Sequence, residues 1–224
     1  MPVKSVAAAY RNEEAELRPF YSAWPRELLT NKSATGACWP GLTQELAVYQ
    51  ASIGNPPVEF GESFVVTGQQ PALFTGPLYT VYKIATAIRL AKEISKRHGI
   101  CCTPVFWQGS DDHDFEEARS ATVLTKNHEP LTLTYEPMHD LAGLPMYRVP
   151  LDNSVHDLVD RAADAAPGSE FRDEVRAFLH GSLSAASSLA DGSARIIARL
   201  FAGSGLVVFT SECRSARQAA RDII

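Results

Sequence analysis

Phe64-Val65-Val66-Thr67-Gly68-Gln69-Gln70-Pro71 and, further along, Pro104-Val105-Phe106-Trp107-Gln108-Gly109-Ser110-Asp111-Asp112-His113-Asp114 are the stretches whose reading decides the fold. Each opens as a short apolar, β-branched run and breaks off in polar residues, as a strand does where it leaves a sheet. Helical periodicity fills the interval between them. Strand, helix, strand at this spacing predicts two parallel strands joined by a right-handed crossover. As neighbours, the strands end on one edge of the sheet. Gly68, Gln69 and Gln70 then face Ser110 to Asp114 across a crevice, where open α/β sheets bind their ligands.

The crossover helix has its own signals. Thr75 is placed to cap it, Pro77 suits its first turn and Gly99 suits its exit. Leu78, Val81, Tyr82, Ala85, Ile88 and Leu90 are the predicted apolar face, and Lys96, Arg97 and His98 complement the dipole in the last turn. The amino end points back at the crevice. Its free N–H groups, with Gly68 and Gly76 permitting close backbone approach, suit a phosphate or a carboxylate.

Composition narrows the function classes. The 224 residues can bury one substantial core, with room for a small appendage, and 45% hydrophobic content fits a soluble globular chain. A net charge of −5 without a Lys/Arg cluster argues against a nucleic-acid partner. No apolar run approaches a membrane span and the amino end lacks a signal core, so the cytoplasm is the expected compartment. Cys38, Cys101, Cys102 and Cys213 have no Cys-x-x-Cys spacing and read as core thiols rather than a zinc or redox site.

Four segments follow along the chain. Residues 1–60 read as a helical segment: one helix from Glu13 to Trp24, a short piece from Pro25 to Leu29, a loop over 31–40, and a helix from Leu42 to Ile53. Residues 61–120 are the βαβ core. Residues 121–152 read as a small β insertion with strand-like runs at Ala121 to Thr125, Leu131 to Tyr135 and Met146 to Leu151. Residues 153–224 bring back helices at Val155 to Ala165, Ser169 to His180 and, broken at Gly192, Leu183 to Ala202. A third core strand follows at Leu206 to Thr210, and a last helix starts near Ser211.

The chemistry concentrates in the two strand-end loops. Gln69 and Gln70 carry donors and acceptors, which suits neutral, hydroxyl-rich or amide ligands. Asp111, Asp112, His113, Asp114, Glu116 and Glu117 put six acidic or imidazole groups into seven positions after a buried strand. Three readings stand side by side: a divalent metal site, an acid–base site with His113 oriented by Asp114 or Asp112, and a capped acidic helix start. The helix start accounts for Glu116 and Glu117 but poorly for His113. Lys83, near the amino end of the helix, is within reach of a ligand, but a solvated helix face is the preferred reading, and His128, His139 and His156 read as surface residues.

These stretches resemble a known family. Val66-Thr67-Gly68-Gln69-Gln70-Pro71, Leu73-Phe74-Thr75-Gly76-Pro77-Leu78-Tyr79 and Tyr82-Lys83 are similar to the opening motif of the bacillithiol-biosynthesis cysteine-adding enzymes. Pro104-Val105-Phe106-Trp107 with Asp112-His113-Asp114-Phe115-Glu116 resembles the second box, and Arg199-Leu200-Phe201 with Gly205-Leu206-Val207-Val208 a later helix-to-strand stretch. Ala72, where the family usually has Gly, and Gly109-Ser110-Asp111 are small departures. The resemblance implies an α/β, Rossmann-like parallel sheet with helices on its faces and inserted segments, akin to class I nucleotidyltransferase cores. It implies a ligase joining cysteine through an amide to glucosaminyl-malate, the last step of bacillithiol synthesis. Gly68, Gln69, Gln70, Gly76, His113 and Asp114 are the matched positions; the roles assigned to them are our own reading, with His113 and Asp114 as the expected catalytic pair and Gly68, Gln69, Gln70, Gly76 and Asp112 expected to bind substrate. No metal is implied; ATP is an expectation for amide synthesis and is not written in the residues.

Length is the large departure. Family members continue with more core strands and a carboxyl-terminal coiled coil used for homodimerisation, so the core is expected to be truncated here. Such a chain would leave a sheet edge and an apolar face uncovered. The competing expectations are a non-catalytic remnant or binding domain and, more distantly, a metal-dependent hydrolase.

Overall fold

The computed structural model describes residues 5–24, 26–27, 41–137, 141 and 143–221. The loop expected over 31–40, most of the piece from Pro25 to Leu29, Cys38 and His139 lie outside the described residues. Strands β1 (Ser63–Gln69), β2 (Cys102–Gln108) and β5 (Val207–Thr210) form one sheet in the order β1-β2-β5, with both pairings parallel. The register sets Gln69 opposite Gln108 and Gln108 opposite Thr210, so all three strands end on one edge. Strands β3 (Ser120–Leu124) and β4 (Pro130–Thr134) form a separate antiparallel hairpin. The α/β, Rossmann-like expectation holds.

Helix α3 (Tyr79–His98) connects β1 to β2 and ends, as expected, on Gly99 in the left-handed region (φ 64°). Its buried face is Thr80, Ile84, Ala87, Ile88 and Ala91. Of the predicted apolar face only Ile88 is buried, while Leu78 and Tyr82 are 67% and 66% exposed. Ala87 and Ala91 share this face with Ile84 and Ile88, while Leu78 and Tyr82 stay outside. Thr75 is not a cap. It lies in a tight turn with Phe74, Thr75 and Gly76 all at positive φ (51°, 75° and 74°), and α3 starts only at Tyr79.

Ile84 and Ile88 pack on Phe106 and Val208 of the sheet and on Ala194, Ile197 and Ala198 of α7 (Leu189–Leu200). Each large apolar side chain buried in this layer contributes about 1.5–3 kcal/mol. The opposite sheet face is barer. Phe64, Val66 and Trp107 are 50%, 58% and 48% exposed, with Trp107 resting on Phe209 at 4.7 Å between ring centroids. The outer edge of β1 has no strand partner among the described residues.

The outer edge of β5 is closed by side chains. From α2 (Leu42–Ser52), Gln50 donates to the Val208 carbonyl and accepts from the Val208 N–H, while Asn55 donates to the Leu206 carbonyl. These bonds satisfy the backbone groups a neighbouring strand would otherwise take.

Several element boundaries differ from the sequence reading. In place of one helix from Glu13 to Trp24, α1 (Val6–Arg11) precedes a 3-10 helix over Ala15–Phe20; Glu13 at φ 56° and Pro19 prevent a continuous α-helix. Met146 to Leu151 is not a strand but a 3-10 turn at Met146–Arg148, flanked by Pro145 and Pro150, with an isolated β-bridge from Pro150 to Ser188. The break expected at Gly192 falls earlier, between α6 (Arg172–Leu183) and α7. Gly192 lies inside α7, and its lack of a side chain lets Leu183 pack against the helix: a Cβ there would stand 2.9 Å from a Leu183 methyl. The last helix, α8 (Arg214–Ala220), starts after Cys213 rather than near Ser211. Between the hairpin and α6, α5 (Ser154–Ala165) packs Val155, Leu158 and Val159 against Leu133 and Tyr135.

Candidate functional site

The common end of the strands brings the two loops into contact. The Gly109 N–H donates to the Gln69 carbonyl at 3.1 Å, extending the β1–β2 ladder one step beyond the strands. Gly68 is required by close approach: a Cβ there would stand 2.9 Å from the Trp107 carbonyl oxygen and 3.3 Å from the Trp107 Cβ. Gly76 is required by its positive φ, which closes the turn leading into α3. Gln69 and Gln70 are half-buried beside this junction. Gln69 and Gln70 therefore lie beside Gly109, where the second loop begins.

That second loop is held from three sides. Ser110 is buried, and its hydroxyl bonds Thr210 Oγ1 at 2.9 Å and Ser211 Oγ at 2.7 Å. Its carbonyl accepts from Tyr147 N–H at 3.0 Å, and the Asp112 carbonyl accepts from Met146 N–H at 2.8 Å. These two bonds explain the turn at Met146: its backbone serves the loop rather than a third insertion strand.

The acidic residues are occupied locally. Asp114 Oδ1 accepts from Glu117 N–H at 3.1 Å and caps the short α4 (Phe115–Ala118), while Asp112 Oδ1 accepts from Asp114 N–H at 3.1 Å. Glu116 pairs with Arg119 at 2.7 Å. Neither Asp112 nor Asp114 hydrogen-bonds the His113 imidazole, which is exposed. The expected carboxylate–imidazole pairing is thus not formed, because the same carboxylates are nearer the free N–H groups of the turn. Among the described residues no group of three or more His, Cys, Asp or Glu side chains is arranged to hold a metal ion.

Two features escaped the sequence reading. Lys83 is not a solvated helix residue: its ammonium donates to the Gly68 carbonyl at 2.5 Å and to Gln69 Oε1 at 3.2 Å, and lies 5.5 Å from the Tyr79 ring centre. Its position one turn into α3 was the available signal. The Ser110–Thr210–Ser211 hydroxyl cluster was the other. Thr210 and Ser211 are the polar end of the third strand, and the sheet order puts them beside Ser110. Next to this cluster a notch of about 150 Å³ is lined by Glu45, Tyr49, Thr210, Glu212 and Cys213. Burial pushes the Glu212 carboxyl, the Cys213 thiol and the Tyr49 phenol above their ordinary values.

A parallel sheet carrying its polar loops on the carboxyl edge defines a Rossmann-like domain. More particularly, the chain belongs to the family described as "Bacillithiol biosynthesis BshC, N-terminal Rossmann-like domain", which matches residues 59–224. It is similar to proteins named "Putative cysteine ligase BshC" from several bacteria. Identity is 42% over 143 residues with that of Salinibacter ruber, covering 64% of this chain and 26% of the relative. It is 38% over 144 residues with that of Natranaerobius thermophilus, covering 64% and 26%. For Geobacillus thermodenitrificans it is 37% over 159 residues, covering 70% and 29%. The matched stretch spans about a quarter of the length of these relatives. No described helix is long and apolar enough to cross a membrane.

Proposed function

We propose that this chain supplies the substrate crevice of a ligase that joins cysteine through an amide bond to glucosaminyl-malate in bacillithiol biosynthesis. One observation carries the reading. The Gln69 and Gly109 loops, which hold both motif boxes, lie side by side and are bonded directly at the carboxyl edge of the sheet. The names of the relatives supply the reaction class, and the family description supplies the biosynthetic setting. In this reading Gly68, Gln69, Gln70, Gly76 and Asp112 line the substrate, and the exposed His113 takes the proton released as the amine adds to the activated cysteine acyl carbon and the activating group departs with the electrons of its C–O bond. Amide synthesis in water calls for an activated carboxyl group, for which ATP is the expected source. The described residues fit ATP poorly, since Lys83 is spent on Gly68 and Gln69.

The reading is tested by titrating the ¹⁵N-labelled chain with L-cysteine and with glucosaminyl-malate. The Gln69, Gln70, Gly76 and Gly109 amides should shift in a saturable manner. Shifts confined to other surfaces, or none at millimolar ligand, would overturn it. A second reading, a binding domain that holds ligand without turnover, is favoured by the engagement of Asp112 and Asp114 as backbone caps. It predicts the same shifts, and no amide product by mass spectrometry when both substrates and ATP are supplied to a chain joined to the rest of a relative.

A further inference from the structure

Lys83 can only donate hydrogen bonds, so the Gln69 amide atom facing it is the carbonyl oxygen. Lys83 takes one lone pair of Oε1 and turns the amide so that its two Nε2–H donors lie on the side away from the ammonium, and those donors have no partner among the described residues. The backbone beneath is pinned on both flanks, by Lys83 at the Gly68 carbonyl and by Gly109 N–H at the Gln69 carbonyl. Tyr79 lies against the ammonium and restricts where it can swing. A glutamine that could present either end of its amide is thereby fixed as a donor.

We propose that Lys83 is a positioning residue that locks Gln69 as a hydrogen-bond donor, so that the crevice selects a ligand offering an acceptor there, a carboxylate or acyl oxygen. The inference rests on the ligase reading for the ligands used to test it. The mechanism is electrostatic as well as steric. The ammonium polarises the Gln69 amide by drawing on its oxygen, which strengthens the N–H donors on the far side. A ligand that offers only donors there competes with the ammonium for Gln69 Oε1 and leaves both Nε2–H groups unpaired.

The test has one arm without ligand and one with it. In the free protein, ¹⁵N relaxation of the Gln69 side-chain NH₂ should report a rigid group. Lys83→Met should make it mobile without a comparable change at Gln70; an unchanged order parameter would overturn the inference. In the second arm, affinities for L-cysteine and glucosaminyl-malate are measured by calorimetry for Lys83→Met, Gln69→Leu and the double variant, with melting temperatures recorded alongside. For whichever ligand engages Gln69, each single substitution should weaken binding roughly tenfold, the scale of one lost hydrogen bond. The double variant should be no worse than Gln69→Leu alone, because Lys83 acts through Gln69. An additive penalty would mean that Lys83 acts independently, and would overturn the positioning role. If the wild-type chain binds neither ligand, the ligase reading fails, and the relaxation arm alone decides whether Lys83 holds Gln69.

Discussion

Gln50 pairs with Val208 as a neighbouring strand would: its Nε2 donates to the Val208 carbonyl at 2.7 Å and its Oε1 accepts from the Val208 N–H at 3.0 Å. Asn55 completes the device, bonding Gln50 Oε1 at 2.8 Å and the Leu206 carbonyl at 2.9 Å. Both amides are buried. The β5 edge is therefore closed by side chains while the β1 edge has no strand partner among the described residues, so the sheet has a defined direction in which further pairing is open.

Replacing Gln50 with Leu should leave a buried N–H and a buried carbonyl of Val208 without partners. At about 1–3 kcal/mol for each unsatisfied group, the expected loss is several kcal/mol, a large part of a small domain's net stability. Urea denaturation of the variant should show a clearly lower midpoint, and an unchanged midpoint would show that the edge bonds contribute little.

Glu45 ties α2 to α8. Its carboxylate accepts from Ser215 N–H at 2.8 Å and Arg214 N–H at 2.7 Å, and these bonds, Ser215 foremost, hold its carboxyl down at about 2 from an ordinary 4.5. A carboxyl held low in the folded state stabilises the fold fully above its unfolded value, and that contribution is lost as pH falls toward the folded one. The stabilisation from this contact should thus fade between about pH 4.5 and about 2. Glu45→Gln should cost about 1 kcal/mol at neutral pH, as for other lost caps, and should flatten that part of the stability profile. Parallel acid profiles for wild type and variant would contradict the assignment.

The parallel strands and the crossover were legible because apolar runs ending in Gly68-Gln69-Gln70 and Ser110-Asp111-Asp112 leave few alternatives. The facing of α3 was not. The stripe Thr80, Ile84, Ala87, Ile88, Ala91 competes with one through Leu78 and Tyr82, and the partners that Ile84 and Ile88 find in Phe106 and Val208 are distant in sequence. The role of Asp112 and Asp114 was hidden for a related reason. A carboxylate beside a histidine in sequence also stands beside the free N–H groups of a turn, and here those lie within reach. Contacts such as Ser110 to Thr210 span too much sequence for any local pattern to announce them.

Gly68 and Gly109 sit on the two sides of the same junction and should respond differently to a methyl group. At Gly68 an added Cβ would stand 2.9 Å from a Trp107 backbone oxygen, whereas at Gly109 the nearest atom is the Gln70 Cα at 3.9 Å. Gly68→Ala must push β1 and β2 apart and should cost about 1–3 kcal/mol, the scale of overpacking, while Gly109→Ala should leave the melting temperature nearly unchanged. Equal melting temperatures for the two variants would mean that the strand spacing at Gly68 is not tight.

His113 gives the sharpest test of the proposed chemistry. Its side chain is exposed, and it contributes a backbone carbonyl to Phe115 rather than a buried side-chain contact, so His113→Ala should leave stability almost unchanged. If the imidazole takes the proton released during amide formation, turnover should fall roughly 10²-fold or more while substrate affinity holds. The assay is amide formation by the chain joined to the remaining part of a relative such as that of Salinibacter ruber. Asp114 supplies the second arm. Because its Oδ1 caps α4, Asp114→Asn keeps a competent capping oxygen and should be nearly neutral in stability, whereas Asp114→Ala loses the cap at a cost of about 1 kcal/mol. A large fall in turnover for Asp114→Asn would show that the carboxylate turns to the imidazole when substrate is bound. Turnover that follows only the folded fraction would assign Asp114 to the loop alone, and unchanged turnover in His113→Ala would remove His113 from the reacting site.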